Sequence, residues 1–155
     1  MSFSADYIVA AIEAAIDKLI ETDEYLLKVD SSERSITHRL AIHLCPHFPG
    51  LDIDCEFNRD GFDPKRLALS ERPVQDGDPD AVTVFPDIIV HQRGASDRNL
   101  LAIEVKKATS LVNSNYDYRK LKAFRIELGY AFALHIVIGY DKRQQLVRCT
   151  RWIDG

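Results

Sequence analysis

Apolar residues recur at helical spacing through residues 4–28, where Ile8, Ala11, Ile12, Ala15, Ile16 and Leu19 share one face. Ser4 stands where an N-cap is needed. A second helix is expected over 31–45, capped by Ser32 and striped by Ile36, Leu40 and Leu44. Pro46 and then Pro49-Gly50 end it. The period then changes to two. Leu51, Ile53, Cys55 and Phe57 alternate with Asp52, Asp54 and Glu56, which predicts a half-buried strand over 51–58 with a wetted outer face. Residues 59–80, rich in charge, proline and glycine, have no period and are expected to form a long loop. Strands are predicted over 81–90 and 100–106, joined by a turn, with Pro86 at a position that tolerates a missing ladder bond. A helix over 114–128 stops at Gly129. The almost wholly apolar run 131–140 predicts a strand covered on both faces, and the alternating run 144–152 an edge strand. The order is ααβββαββ, an α/β fold with a mixed central sheet flanked by helices. The 155 residues, without repeats or a linker, are expected to form a single domain over 1–155.

Composition changes this picture little. No apolar run is long enough to span a bilayer, and the first residues lack the pattern of a secretory signal. Cys45, Cys55 and Cys149 are odd in number and widely spaced, as reduced thiols of a cytoplasmic protein would be. Charge is more informative. The formal net charge of -4 divides unevenly: residues 1–97 hold 9 Lys and Arg against 19 Asp and Glu, and residues 98–155 hold 11 against 5. The C-terminal part can therefore offer a basic face to a polyanion, although ordinary surface scatter gives the same split.

The chemistry concentrates in PDIIVHQRGASDRNLLAIEVKK, residues 86–107. The midpoint of Asp87 and Glu104 falls between Ala95 and Ser96, inside the turn. A symmetric hairpin sets these carboxylates directly opposite, with side chains on one face. Lys106 shares that face, and Ile103 and Val105 point the other way. Two apposed carboxylates repel, which raises a pKa unless a cation intervenes. A hard divalent ion with oxygen ligands resolves the conflict, and Lys106 can orient a water or a phosphate oxygen. Solvated strand-edge charges are the alternative, an awkward one beside such apolar flanks.

Pro86-Asp87, a hairpin and Glu104-Val105-Lys106 together resemble the PD-(D/E)XK nuclease superfamily, also called restriction-endonuclease-like. The resemblance covers residues 31–150 as its core and leaves 1–30 as an N-terminal helical addition. It implies a restriction-endonuclease-like core and a Mg2+-dependent (or Mn2+-dependent) nuclease acting on nucleic acid, DNA before RNA. Asp87, Glu104 and the Val105 carbonyl would be metal ligands, and Lys106 would position the attacking water. Glu33, in the first turn of the second helix, would supply a further catalytic carboxylate, although it equally suits an ordinary solvated helix start. The helix after the motif carries Arg119, Lys120 and Lys122 beside Tyr116 and Tyr118, a combination suited to a phosphate backbone; a solvated basic face is the plainer reading, preferred for Arg125. A homodimer, or a partner subunit, would enlarge the recognition surface. The alternative is a catalytically inactive nucleic-acid-binding or adaptor module of a defence or repair assembly.

Other signals are weaker. His43 and His47 flank Cys45, but Pro46 interrupts the helix there, so a zinc site is not expected. Asp54 and Glu56 are expected to be solvated, with a contribution of Glu56 to the site from an adjacent strand as the alternative. Neither a phosphate-cradling glycine loop nor a cysteine with an activating histidine is present.

Overall fold

A computed structural model describes residues 2–57, 66–67, 82–83 and 86–154. The elements run α1 (Ala5–Thr22), α2 (Glu24–Lys28), α3 (Glu33–Leu44) with a 3-10 turn at Cys45–His47, β1 (Asp52–Cys55), β2 (Arg66–Leu67), β3 (Val82–Thr83), β4 (Ile88–His91), β5 (Leu101–Lys107), α4 (Asn115–Leu128), β6 (Phe132–Tyr140) and β7 (Leu146–Trp152). The main sheet has the order β1-β4-β5-β6-β7. Its β5–β6 pair is parallel and the others are antiparallel, so the sheet is mixed. Helices flank it in the expected ααβββαββ sequence.

Alternation sorts the sheet into two cores. Ile88, Val90, Leu101, Ile103, Val105, Leu134, Ile136 and Ile138 pack with the apolar stripes of α1 and α3. Ile89, Ala102 and Ala133 face Leu121 and Phe124 of α4. Every residue of β4 is buried, as its unbroken Ile-Ile-Val run requires. Gly129 closes α4 in the left-handed conformation, with φ of 69°.

Several expectations change in detail. The helix expected over 4–28 breaks at Asp23, whose φ of -117° and ψ of 25° separate α1 from α2. Its carboxylate works outside the helix, accepting from Arg39 Nε at 2.9 Å and lying 2.6 Å from His43 Nε2. His43 is thus tied to the junction between α1 and α2. The strand expected over 81–90 begins only at Ile88. Val82–Thr83 instead pairs with Arg66–Leu67 in a separate two-stranded ribbon, which places a strand within the loop expected over 59–80. The other residues of that loop lie outside the described residues. The strand expected over 51–58 stops at Cys55, because Glu56 takes a positive φ of 52° and resets the alternation. Ile53 accordingly packs with the α1 and α3 core, and Phe57 with the α4 core.

The Asp23 junction makes one prediction. Burial works to raise the Asp23 pKa, but the bonds from His43 and Arg39 outweigh it and hold the group below its ordinary 3.8. Asp23→Ala should destabilise the fold by about 2 kcal/mol, the scale of hydrogen bonds to a charged group. A depressed carboxylate pKa stabilises above the unfolded value and loses that contribution as pH falls through the folded one. Denaturant melts should therefore show a gap between the two proteins at pH 6 that narrows below pH 3.8.

Candidate active site

The β4–β5 register pairs Ile88 with Ile103, Ile89 with Ala102 and Val90 with Leu101. One further step along this register sets Asp87 against Glu104, as the hairpin midpoint predicts. Main-chain pairing ends there. Pro86 has no amide hydrogen, and its carbonyl accepts instead from the Glu56 amide at 2.8 Å. The exposed edge of β5 is then completed by carboxylates. Asp87 Oδ2 accepts from the Val105 amide at 2.7 Å, and Glu33 Oε2 accepts from the Lys107 amide at 2.8 Å. Glu33 reaches this edge because Ser32 caps α3, accepting from the Ser35 amide, and so fixes the first turn. In a strand, the N–H and C=O of one residue point to the same edge. The Val105 carbonyl therefore faces the Asp87 side.

A cavity of about 630 Å³ opens beside these carboxylates, lined by Glu33, Arg34, His38, Cys55, Glu56 and Asp87 among others. Arg34 crosses its mouth to Glu56 at 3.2 Å. Partial burial, then the nearby Asp87, Asp54 and Glu56 charges, push the Cys55 thiol up to about 11, so it is no nucleophile at neutral pH.

On the α4 side, two buried ion pairs stand next to each other. Lys120 Nζ lies 2.7 Å from Glu104 Oε1, and Lys106 Nζ lies 2.9 Å from Asp117 Oδ2. The spacings match: residues two apart on β5 share a face, and residues three apart on α4 share another. His135, opposite Glu104 on β6, brings Nε2 to 3.4 Å from the same Asp117 oxygen. Burial pushes the Glu104 pKa well above its ordinary 4.5; Lys120 opposes this, and the adjoining Asp87 carboxylate adds to it. For Asp117, burial also works upward, but His135 and Lys106 prevail and hold it below 3.8.

This donor set fits a hard divalent cation. Two apposed carboxylates and a strand carbonyl are oxygen ligands of the kind Mg2+ takes, and the Asp87 charge beside Glu104 is one that a cation would offset. The third donor would have to be main chain: among the described residues, no group of three or more His, Cys, Asp or Glu side chains could hold a metal ion.

The expected residues thus distribute unevenly. Asp87 and Glu104 meet, and the Val105 carbonyl faces the same side. Glu33 joins the edge of β5 two residues further on. Lys106 lies on the face of Glu104, as expected, but its partner is Asp117. Lys120, expected among nucleic-acid contacts, is instead buried against Glu104, because that carboxylate needs a counter-charge. Arg119 and Lys122 line a separate cleft. Arg125, read as a solvated cation, is half-buried and donates to the Ile153 carbonyl at 2.9 Å. Asp54, read as wetted, is mostly buried, 2.8 Å from His91 and bound by Arg93. Asp117 and His135 were missed. Their signals were the i,i+3 spacing of Asp117 to Lys120, and a lone histidine within an apolar strand.

No family model, curated protein or solved structure matches the chain. Among the described residues, no helix is long and apolar enough to cross a membrane.

Proposed function

We propose that the protein is a metal-dependent nuclease that hydrolyses phosphodiester bonds in nucleic acid, with DNA as the first candidate. The observation that carries this reading is the convergence of Asp87, Glu104 and the Val105 carbonyl at the end of the β4–β5 ladder. The resemblance to the PD-(D/E)XK superfamily supports it, since these are the motif positions. Asp87, Glu104 and Val105 would hold Mg2+ or Mn2+. When bound, that ion supplies positive charge against the anion that develops as water attacks phosphorus.

The chain's own residues do the rest. Asp87 is restrained by the Val105 amide, which leaves its second oxygen available as a ligand. Asp117 holds the Lys106 ammonium on the face of Glu104, where a spare N–H can orient a water or a phosphate oxygen. Glu33 caps the next amide of the same edge and borders the open cavity. A second copy of the chain would allow both strands of a duplex to be cut.

One observation favours a second reading. Lys120 already neutralises Glu104 without a metal, as a scaffold that binds nucleic acid and no longer cuts would require. Incubating the protein with circular, linear, branched and single-stranded DNA, with Mg2+, with Mn2+ and with EDTA, separates the two. Metal-dependent cleavage of any of these is expected. Binding without cleavage under every condition selects the scaffold.

A further inference from the structure

Among the described residues, four arginines are held by carboxylates of the same chain. Arg34 faces Glu56, Arg39 faces Asp23, Arg93 faces Asp52 and Asp54, and Arg148 faces Glu13 and Asp17. The cleft between α4 and the edge strand β7 is different. Tyr118, Arg119 and Lys122 of α4 line it together with Arg151 and Trp152, and its one acidic residue is Asp154. Lys122 and Arg151 are exposed and have no carboxylate partner among the described residues. The Arg151 guanidinium lies over the Tyr118 ring, 4.2 Å from its centroid. That ring in turn meets His135 edge-on, at 4.9 Å between centroids. An arginine seated on an aromatic face keeps its charge and its in-plane N–H groups directed outward. The exposed cations Lys122 and Arg151 against one anion, with aromatic rings beside them, form a surface complementary to phosphates joined to flat bases.

The geometry points to this cleft as a docking site for a single-stranded segment of nucleic acid. Its volume, about 310 Å³, lies at the lower end of small-ligand pockets and matches a single nucleotide unit rather than a duplex. Its position links it to the candidate active site. Tyr118 follows Asp117 in α4, and Asp117 holds Lys106. A strand held on Arg151, Tyr118 and Lys122 is therefore anchored one residue away from the lysine network beside Glu104. The inference deepens the nuclease reading and rests on it for the direction of the strand, but the docking itself needs no chemistry.

The experiment uses the whole protein in EDTA, where cleavage is silenced. Fluorescence anisotropy of labelled dT, mixed-sequence DNA, RNA and duplex oligonucleotides is measured over a salt series. Trp152 lines the cleft and is the chain's one tryptophan, so its emission reports occupancy directly. Single strands should bind more tightly than duplex and change the Trp152 emission. The Arg151→Ala/Lys122→Ala variant should bind at least tenfold more weakly. Its log K against log salt slope should be shallower by about 1.4, the value for two lost phosphate contacts on a single strand. Arg148→Ala, on the same strand but held by α1 carboxylates, should bind as the natural protein does. Unchanged affinity in the Arg151→Ala/Lys122→Ala variant overturns the inference, as does a preference for duplex. Cleavage with no such dependence leaves the nuclease reading standing without this site, and cleft-dependent binding without cleavage leaves the site standing without the nuclease reading.

Discussion

Glu104→Gln should lower metal-dependent cleavage by at least about a hundredfold, the scale for removing one preorganised electrostatic group, while leaving the fold intact. The side chain is buried, so an uncharged amide of the same shape meets no new steric demand. Burial and the Asp87 carboxylate already disfavour the ionised form of Glu104, so losing that charge also relieves repulsion. Glu104→Gln also leaves the Lys120 ammonium buried without its carboxylate, so its thermal melts should fall below those of the natural protein and recover when Lys120→Met is added. The informative comparison is Lys106→Met, which keeps both carboxylates and removes the ammonium held by Asp117. If Lys106 positions water or phosphate, this variant also loses cleavage but still binds Mn2+, measured by the relaxation of water protons. Cleavage that survives both substitutions would remove Glu104 and Lys106 from the mechanism together.

How much of this was legible in the chain depends on the range of the interaction. The hairpin arithmetic around Asp87 and Glu104 needed only the turn position and a period of two, and the observed register continues to that pair. The order of elements along the chain and α4 followed from periodicity in the same way. What escaped were contacts set by tertiary geometry. Nothing local shows that Glu33 would cap the Lys107 amide, 74 residues away in sequence. Glu56 looked like one more residue of an alternating strand, yet its positive φ follows from the exit of Pro86, whose carbonyl its amide must satisfy. The helix break at Asp23 is similar: the residue is unremarkable in an amphipathic pattern until Arg39 and His43 approach it. Lys120 shows the same limit at the site itself. Its position on the helix after the motif brings it within reach of the site, but only the buried Glu104 determines that it pairs there instead of facing a phosphate.

Lys120→Met tests that pairing and decides between the two functional readings. It strips the cation from a buried carboxylate, which costs about 3–5 kcal/mol when the partner stays ionised. The cost must depend on pH. A carboxyl whose folded-state pKa lies above its unfolded value stabilises the fold below the unfolded value and loses that contribution as pH rises through the folded one. Glu104 is already raised well above 4.5, and removal of Lys120 raises it further. The stability gap between the natural protein and Lys120→Met should therefore be smaller at pH 4.5 than at pH 8, read by urea melts at both. Combining Lys120→Met with Glu104→Gln should recover most of the loss at pH 8, because the two residues act as one unit. A gap that stays flat with pH, or a double variant no better than the single one, breaks the assignment. Mg2+ then supplies the decisive arm. In Lys120→Met the carboxylate pair lacks its internal counter-charge, so a divalent ion bound by Asp87 and Glu104 should restore stability by about 2.7 kcal/mol at a hundredfold excess over its dissociation constant. The natural protein, with Lys120 in place, should gain less. Restoration by Mg2+ that disappears with Asp87→Asn marks the end of the β4–β5 ladder as a metal site in competition with Lys120. A Lys120→Met protein indifferent to Mg2+ and Mn2+ makes the lysine a permanent substitute for the metal, and the fold a scaffold for binding.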